Sequence, residues 1–443
     1  MKTKNLHVLA AVMASACVAM AQTLPGTPEE NGLTPKGPTI FLNLPSVLNN
    51  DNSEAVGIAV GGSGNVMVGW EDDGDELADA EAVWTILDST GAYVTPETDQ
   101  TSLGADYTGK VLRNRFLSYF RADGTATSGR VSWGPKIKAS LFGNNFGMGA
   151  TSMSPNFGDD IEAFKGTMDA TESDFPTVQL LNGNGAPLGI VSGVSDQDAA
   201  PAGSVRIGDW DFLKTGNIVI VGESRQNDDL STRFGGAAPL RHAAYRVVTP
   251  AGVEVKAYSL LSEVAEKVEM WHGVGVTANG FGVRFALNGA GTVRLFDNAG
   301  KPTSTNINLA EATGFALAGA GGRGDGIGFH GNGKDAYVVA TAGTDANGPQ
   351  VWVTVLNANG SVRYSKAAVT DVVLTNPSRV DAAIDASGRV IVAFTDSGFT
   401  GQSIVLGRVL KANGEPETGT FWVGELETPE TNASYSAETP RVA

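Results

Sequence analysis

The chain is nearly free of thiols: its 443 residues include one cysteine, Cys17. One cysteine cannot form an intramolecular disulfide, and it excludes zinc or redox sites built on Cys-x-x-Cys pairs. Basic residues are scarce as well, with 31 Lys plus Arg against 48 Asp plus Glu and a formal net charge of −17. That balance lacks the positive footprint required by nucleic acid or by an anionic lipid surface. Beyond the first 21 residues no apolar run is long enough to span a bilayer as a helix. The sequence also lacks a Gly-Lys-Ser/Thr phosphate loop, an EF-hand, a Gly-x-Ser-x-Gly nucleophile and any His-x-His or His-Glu-x-x-His spacing.

The N-terminus reads as a processing signal. Lys2 and Lys4 precede a mostly apolar stretch from Val8 to Ala21, which ends in the A-x-A-like site Ala19-Met-Ala21. The expectation is a signal peptide over 1–21, a mature chain starting at Gln22, and export to the periplasm or outside the cell. Ala14-Ser-Ala-Cys17 resembles a bacterial lipobox, with Ala where Leu is usual at the first position. An outer-membrane lipoprotein anchored through Cys17 is therefore the alternative. Residues 22–50 read as a Pro-containing linker followed by a lead-in strand.

The abundant residue is glycine, at 57 positions, and it favours tight turns between short strands. Apolar residues followed by a polar turn ending in Gly recur as Ile86-Leu-Asp-Ser-Thr-Gly91, Leu180-Leu-Asn-Gly-Asn-Gly185 and Val247-Val-Thr-Pro-Ala-Gly252. They return as Leu295-Phe-Asp-Asn-Ala-Gly300, Val355-Leu-Asn-Ala-Asn-Gly360 and Val409-Leu-Lys-Ala-Asn-Gly414. A first hairpin often precedes this one, most clearly in Val380-Asp-Ala-Ala-Ile-Asp-Ala-Ser-Gly-Arg-Val-Ile-Val-Ala-Phe394. Two hairpins per unit make four strands, repeated as in a propeller blade. The pattern resembles the blade repeat of exported bacterial β-propeller proteins, and the resemblance carries architecture without activity. It implies an all-β fold over 51–443, a β-propeller of six four-stranded antiparallel blades with seven as the alternative. An excess of residues at about 103–154 reads as an insertion, more a loop over one face than an extra blade. The ending Thr439-Pro-Arg-Val-Ala443 echoes Asn376-Pro-Ser-Arg-Val-Asp381. It reads either as a terminal strand closing the ring on the first blade or as the start of a blade that is cut short.

Candidate chemistry is sparse. His272 and His330 each stand just before a first hairpin, where an inner strand or its leading loop would border the channel. With Arg379 and Asp209 they are the candidate acid–base or metal cluster. The alternative is separate half-buried histidines held by backbone. Asp72, Asp73, Asp75 and Glu76 form the best of several acidic clusters for Ca²⁺, against the alternative of a solvated loop. Trp133, Trp210 and Trp271 are candidate sugar-stacking platforms, whereas Trp70, Trp84 and Trp352 read as blade-packing core. The run 318–328, with Arg323-Gly-Asp325 inside it, reads as a tight blade-to-blade crossing rather than a recognition motif. Repeated Ser-x-Asp-x-Gly-x-Thr-Trp boxes of the sialidase type are absent. A non-catalytic binding or scaffold role towards glycan or a surface protein comes first, and a polysaccharide-active lyase or hydrolase at the channel mouth is the alternative.

Overall fold

Apolar runs bounded by Gly turns become antiparallel strands across the described residues. The computed structural model describes residues 25–34, 54–72, 81–99, 110–113, 116–119, 136–149, 177–184, 186–192, 204–225, 242–262, 268–287, 290–313, 327–397, 404–423 and 442–443. The first sheet holds β1 (Glu54–Val60), β2 (Val66–Asp72), β3 (Glu81–Leu87) and β4 (Tyr93–Asp99). A separate two-stranded hairpin, β5 (Lys110–Arg113) and β6 (Phe116–Tyr119), follows. The second sheet is β7 (Lys136–Ala139), β8 (Phe146–Gly149), β9 (Thr177–Leu181) and β10 (Pro187–Ser192). The third is β11 (Ser204–Phe212), β12 (Ile218–Arg225), β13 (His242–Val248) and β14 (Glu254–Leu260). The fourth is β15 (Val268–Thr277), β16 (Gly280–Leu287), β17 (Ala290–Asp297) and β18 (Ile307–Asn308), the last followed by the short helix α1 (Leu309–Thr313). The fifth is β19 (Ile327–Gly331), β20 (Ala336–Asp345), β21 (Gly348–Asn357) and β22 (Val362–Ala368). The sixth is β23 (Ser378–Ile384), β24 (Val390–Asp396), β25 (Ile404–Leu410) and β26 (Phe421–Val423).

Each of these six sheets is a simple meander. Their first strands pack side by side in the sequence β1, β7, β11, β15, β19, β23. The sheets therefore stack face to face around an axis lined by those strands, which makes the chain an all-β propeller of four-stranded antiparallel blades. Both faces of an interior blade are covered, so its strands need no polar alternation. Ile218, Val219, Ile220 and Val221 on β12 are all fully buried. Between the third and fourth sheets, Val219 and Tyr245 meet Phe281, which stacks on Phe296 at 4.9 Å. Between the fifth and sixth, Val338 and Val353 pack in one cluster with Val392 and Leu406. Trp84 and Trp352 are buried, as expected of blade core.

The recurring turn has a local cause. Asp88, Asp297 and Asp385 each accept through Oδ1 from the N–H groups two and four residues on, as Asn182 does. The closing Gly then takes a left-handed conformation, with φ of 86° at Gly91, 77° at Gly300 and 91° at Gly388.

Three stretches depart from the expectations. The region 103–154 is not only a loop: its residues 136–149 supply the two inner strands of the second sheet. A pair of four-residue strands rich in Gly and Lys carries too little apolar text to be recognised as a first hairpin. Residues 25–34, read as linker, form a turn capped by the Thr27-Pro-Glu-Glu30 box, in which Thr27 N–H donates to Glu30 Oε2 and Glu30 N–H to Thr27 Oγ1. Gly26 O in that turn accepts from Trp422 N–H at 3.0 Å, so the segment docks on β26. At the other end, Val442 lies beside the inner strand β23, its N–H donating to Asp381 Oδ2 at 3.0 Å. Among the described residues there is no seventh four-stranded sheet, and no helix is long and apolar enough to cross a membrane.

Candidate active site

The inner strands carry ionisable side chains where apolar ones would pack more cheaply. Four inner hairpins open their turns with an N–H donated across them: Ser140 to Asn145, Leu213 to Asn217, Asn332 to Ala336 and Asp385 to Arg389. Counting back from those residues, Lys138, Asp211 and His330 stand two positions before the turn, and Asp209 and Asp381 four before it. Even spacing along a strand keeps side chains on one face. Four inner strands thus present five titratable groups in two adjacent rows.

Two of these groups use the same device. Asp209 Oδ2 accepts from Lys138 Nζ at 3.3 Å on the preceding inner strand and from Val274 N–H at 2.7 Å on the following one. Asp381 Oδ1 lies 2.9 Å from His330 Nε2 on its preceding inner strand, while its Oδ2 takes the Val442 N–H. Both carboxylates are only 4% exposed. A buried carboxylate needs such partners, since an unpaired charge there costs several kcal/mol, on the order of the effective ion desolvation penalty. With Asp381 ionised, its carboxylate accepts and the N–H of His330 stands on Nε2.

Backbone form permits these approaches. The ladder slips between Ile207 and Asp209 in β11 and between Ser378 and Asp381 in β23, placing a bulge immediately before each aspartate. Arg379 sits in the second bulge with φ 50°, the one left-handed non-glycine among the described residues. A conformation this costly for a side-chain-bearing residue is commonest at functional sites. Gly328 lets β19 close on β23, because a Cβ there would meet Ala382 N at 2.9 Å and Asp381 Oδ1 at 3.2 Å. Gly328 is the described end of the glycine run read as a blade-to-blade crossing, whose residues 318–326 lie outside the described residues.

The charges interact as a set. Burial raises Asp211 to about 6, and Asp209 adds to the rise; Lys138, the Phe212 N–H and His330 pull the other way. Burial opposes the Lys138 charge, but Asp209, Asp211 and Asp381 together outweigh it and hold the ammonium above its ordinary range. Asp381 and Lys138 belong to sheets separated by the first sheet on one side, and Asp211 and His330 to sheets separated by the fourth. Their influence on one another crosses the channel rather than running along one blade.

Of the sequence candidates, Asp209 and His330 enter this cluster, and Arg379 lies two residues before Asp381 on β23. His272 and Trp271 lie on the inner strand β15, in a stretch where the ladder slips between Glu269 and Gly273. Trp210 is not a stacking platform. It is fully buried edge-on to Phe212 at 5.3 Å, because it alternates with Asp209 and Asp211 and so faces away from them into the blade packing. Asp72 ends β2 opposite Glu81. Trp133, Asp73, Asp75, Glu76 and Arg323–Asp325 lie outside the described residues. Among the described residues no group of three or more His, Cys, Asp or Glu is arranged to hold a metal ion. Lys138, Asp211 and Asp381 were missed. Their signal was a charge alternating with apolar residues in an otherwise buried strand, as in Ile207-Gly-Asp-Trp-Asp-Phe212.

No protein-family model matches the sequence, and no curated protein matches it. Solved structures of similar shape include a protein of unknown function from Dyadobacter fermentans, 10% identical with a TM-score of 0.43, covering 81% of this chain and 94% of that one. An α-L-arabinofuranosidase from Fusarium graminearum is 10% identical with a TM-score of 0.44, covering 82% of this chain and 94% of that one. A Hadza microbial sialidase is 10% identical with a TM-score of 0.42, covering 84% of this chain and 66% of that one. Likeness of this degree assigns no activity.

Proposed function

We propose that this protein is an exported glycan-active hydrolase whose acid–base site lies in the propeller channel. The observation that carries the reading is the convergence of Lys138, Asp209, Asp211, His330 and Asp381 from four inner strands. A binding or scaffold role came first on sequence grounds, but a scaffold has no need of five ionisable groups brought together by its inner strands. Cleaving a glycosidic bond requires a proton donor for the leaving oxygen and a base for the attacking water. Asp211, protonated up to about 6, suits the donor. His330, oriented by Asp381, suits the base through Nδ1. Lys138, held by Asp209, balances the carboxylates and keeps the site from repelling the electron-rich oxygens of a sugar.

Hydrolysis is favoured over elimination. A lyase removes a proton beside a substrate carboxylate, and three carboxyls against one ammonium make a poor seat for that anion. Neutral sugars fit better. The test is release of reducing ends from arabinan, xylan, galactan, mannan and hyaluronan. Cleavage of a neutral polysaccharide, reduced at least about 100-fold in His330→Ala, is expected. Cleavage of hyaluronan alone would overturn the neutral-sugar assignment. Absence of cleavage throughout, with retained binding of one polymer, would return the protein to the binding role.

A further inference from the structure

The carboxylate beside His330 is gripped at both oxygens, by two distant parts of the chain. Asp381 Oδ1 faces His330 Nε2 at 2.9 Å, and Gly328 of the same strand β19 is so near that a Cβ there would stand 3.2 Å from that oxygen. Oδ2 accepts from the Val442 N–H at 3.0 Å, from a residue 61 positions further along. The sixth sheet ends at Val423 on its outermost strand β26. Between there and Val442 the chain passes from the rim of that sheet to its innermost strand. Val442 does for Asp381 what Val274 does for Asp209. Val274 belongs to the following inner strand, 65 residues after Asp209, and gives its N–H to Oδ2 at 2.7 Å.

The two donors differ in their own support. Val274 is tied into a ladder, opposite Val283 of β16. Val442 lies in no strand and is half-buried, with Ala443 beyond it exposed. The first strand that follows β23 round the ring is β1, and it does not pack along β23 as the other first strands pack along their neighbours. Among the described residues, Val442 therefore stands where a following inner strand would supply the donor. A carboxyl held at one oxygen can pivot, whereas one held at both cannot. Hydrogen bonds to an ionised acceptor are the strong kind, and an oxygen this covered loses heavily when its donor leaves. Turning Oδ2 towards water would recover that loss, and the same turn takes Oδ1 off His330 Nε2.

From this arrangement we infer that Val442 is a positioning residue: its backbone N–H fixes the Asp381 carboxylate and, through it, the imidazole of His330. The consequence for rate rests on the hydrolase reading, while the positioning itself does not. Only the main-chain N–H is used, so any residue at 442 serves except proline, which has no N–H to give.

The experiment compares full-length wild type, Val442→Ala and Val442→Pro, each labelled with nitrogen-15 histidine, by NMR at about pH 8.5, above the ordinary histidine range. Wild type and Val442→Ala are expected to show His330 with its proton on Nε2, and Val442→Pro a mixture of the two tautomers. On the cleaved glycan, Val442→Pro should lose about 10-fold or more in kcat with KM within about 2-fold, and Val442→Ala should match the wild type. An unchanged His330 tautomer in Val442→Pro would overturn the inference whatever the rates, and so would equal effects of Ala and Pro. No cleavage of any polymer by the wild type would overturn the hydrolase reading, and the ring spectra would still decide the positioning. Should Val442→Pro fail to fold, the wild type alone gives the answer. Its Val442 amide proton should move downfield across pH with the same midpoint as the Asp381 side-chain carboxyl, and a flat trace contradicts the inference.

Discussion

Asp211→Asn is expected to lower turnover on the cleaved glycan by a factor of about 10² to 10⁴, the usual share of a positioned general acid. The amide matches the carboxyl in shape and can still accept the Phe212 N–H that reaches Oδ1 at 2.7 Å. It cannot release a proton, so chemistry is lost while the strand remains. The pH dependence follows with a definite sign. Asp211 is raised from its ordinary 3.8 to about 6 in the folded protein, chiefly by burial. Its protonated form is the one the fold favours, so the stability it contributes is full below the ordinary value and is lost as pH rises through about 6. Wild-type activity should fall over the same upper limb as the acid deprotonates, and the Asn variant should lack both the slope in stability and the limb in rate. Thermal denaturation between pH 3.5 and 7, set beside the pH–rate profile, reads both. A variant with wild-type turnover would remove Asp211 from the reaction.

Asp209→Ala should be the most damaging single change to the fold. It strands Lys138, whose side chain is 13% exposed, and leaves the Val274 N–H without the acceptor that holds it at 2.7 Å. Breaking a buried ion pair from one side typically costs about 3–5 kcal/mol. The loss comes from the uncompensated partner rather than from the missing attraction. The double variant Lys138→Met/Asp209→Leu should therefore recover most of it, since apolar groups of similar volume remove the stranded charge. Denaturant unfolding of the two singles and the double closes the cycle. A loss below about 1 kcal/mol for Asp209→Ala would mean that solvent reaches this pair as it does a surface bridge.

The architecture was legible because it repeats. The turns around Asp88, Asp297 and Asp385 depend on one side-chain oxygen and one left-handed glycine, both local, so the sequence displays them directly. The inner hairpin of the second sheet was hidden, because β7 and β8 hold only four residues each and lack that turn. The site was half legible for a related reason. Histidines draw notice by rarity, and His330 stands where a first hairpin could be located. Lys138, Asp211 and Asp381 are common residue types, and their meaning appears only once four inner strands are superposed by register. Asp381 even sits inside the clearest repeat, where it read as strand text. Trp210 went wrong through parity: as the residue between Asp209 and Asp211 it must face the opposite side of β11, into the core. That deduction was available in principle, but only after Asp209 was known to meet Lys138 and Val274 of the neighbouring inner strands.

Charges from separate inner strands are expected to titrate as one cluster. The most direct test is to follow the side-chain carboxyl of Asp211 by carbon-13 NMR across pH, in the wild type and in Lys138→Met. A titration near 6 in the wild type, moving upward when the Lys138 ammonium is removed, is the predicted result. An Asp211 that titrates near its ordinary 3.8 and does not respond to Lys138→Met would contradict the account.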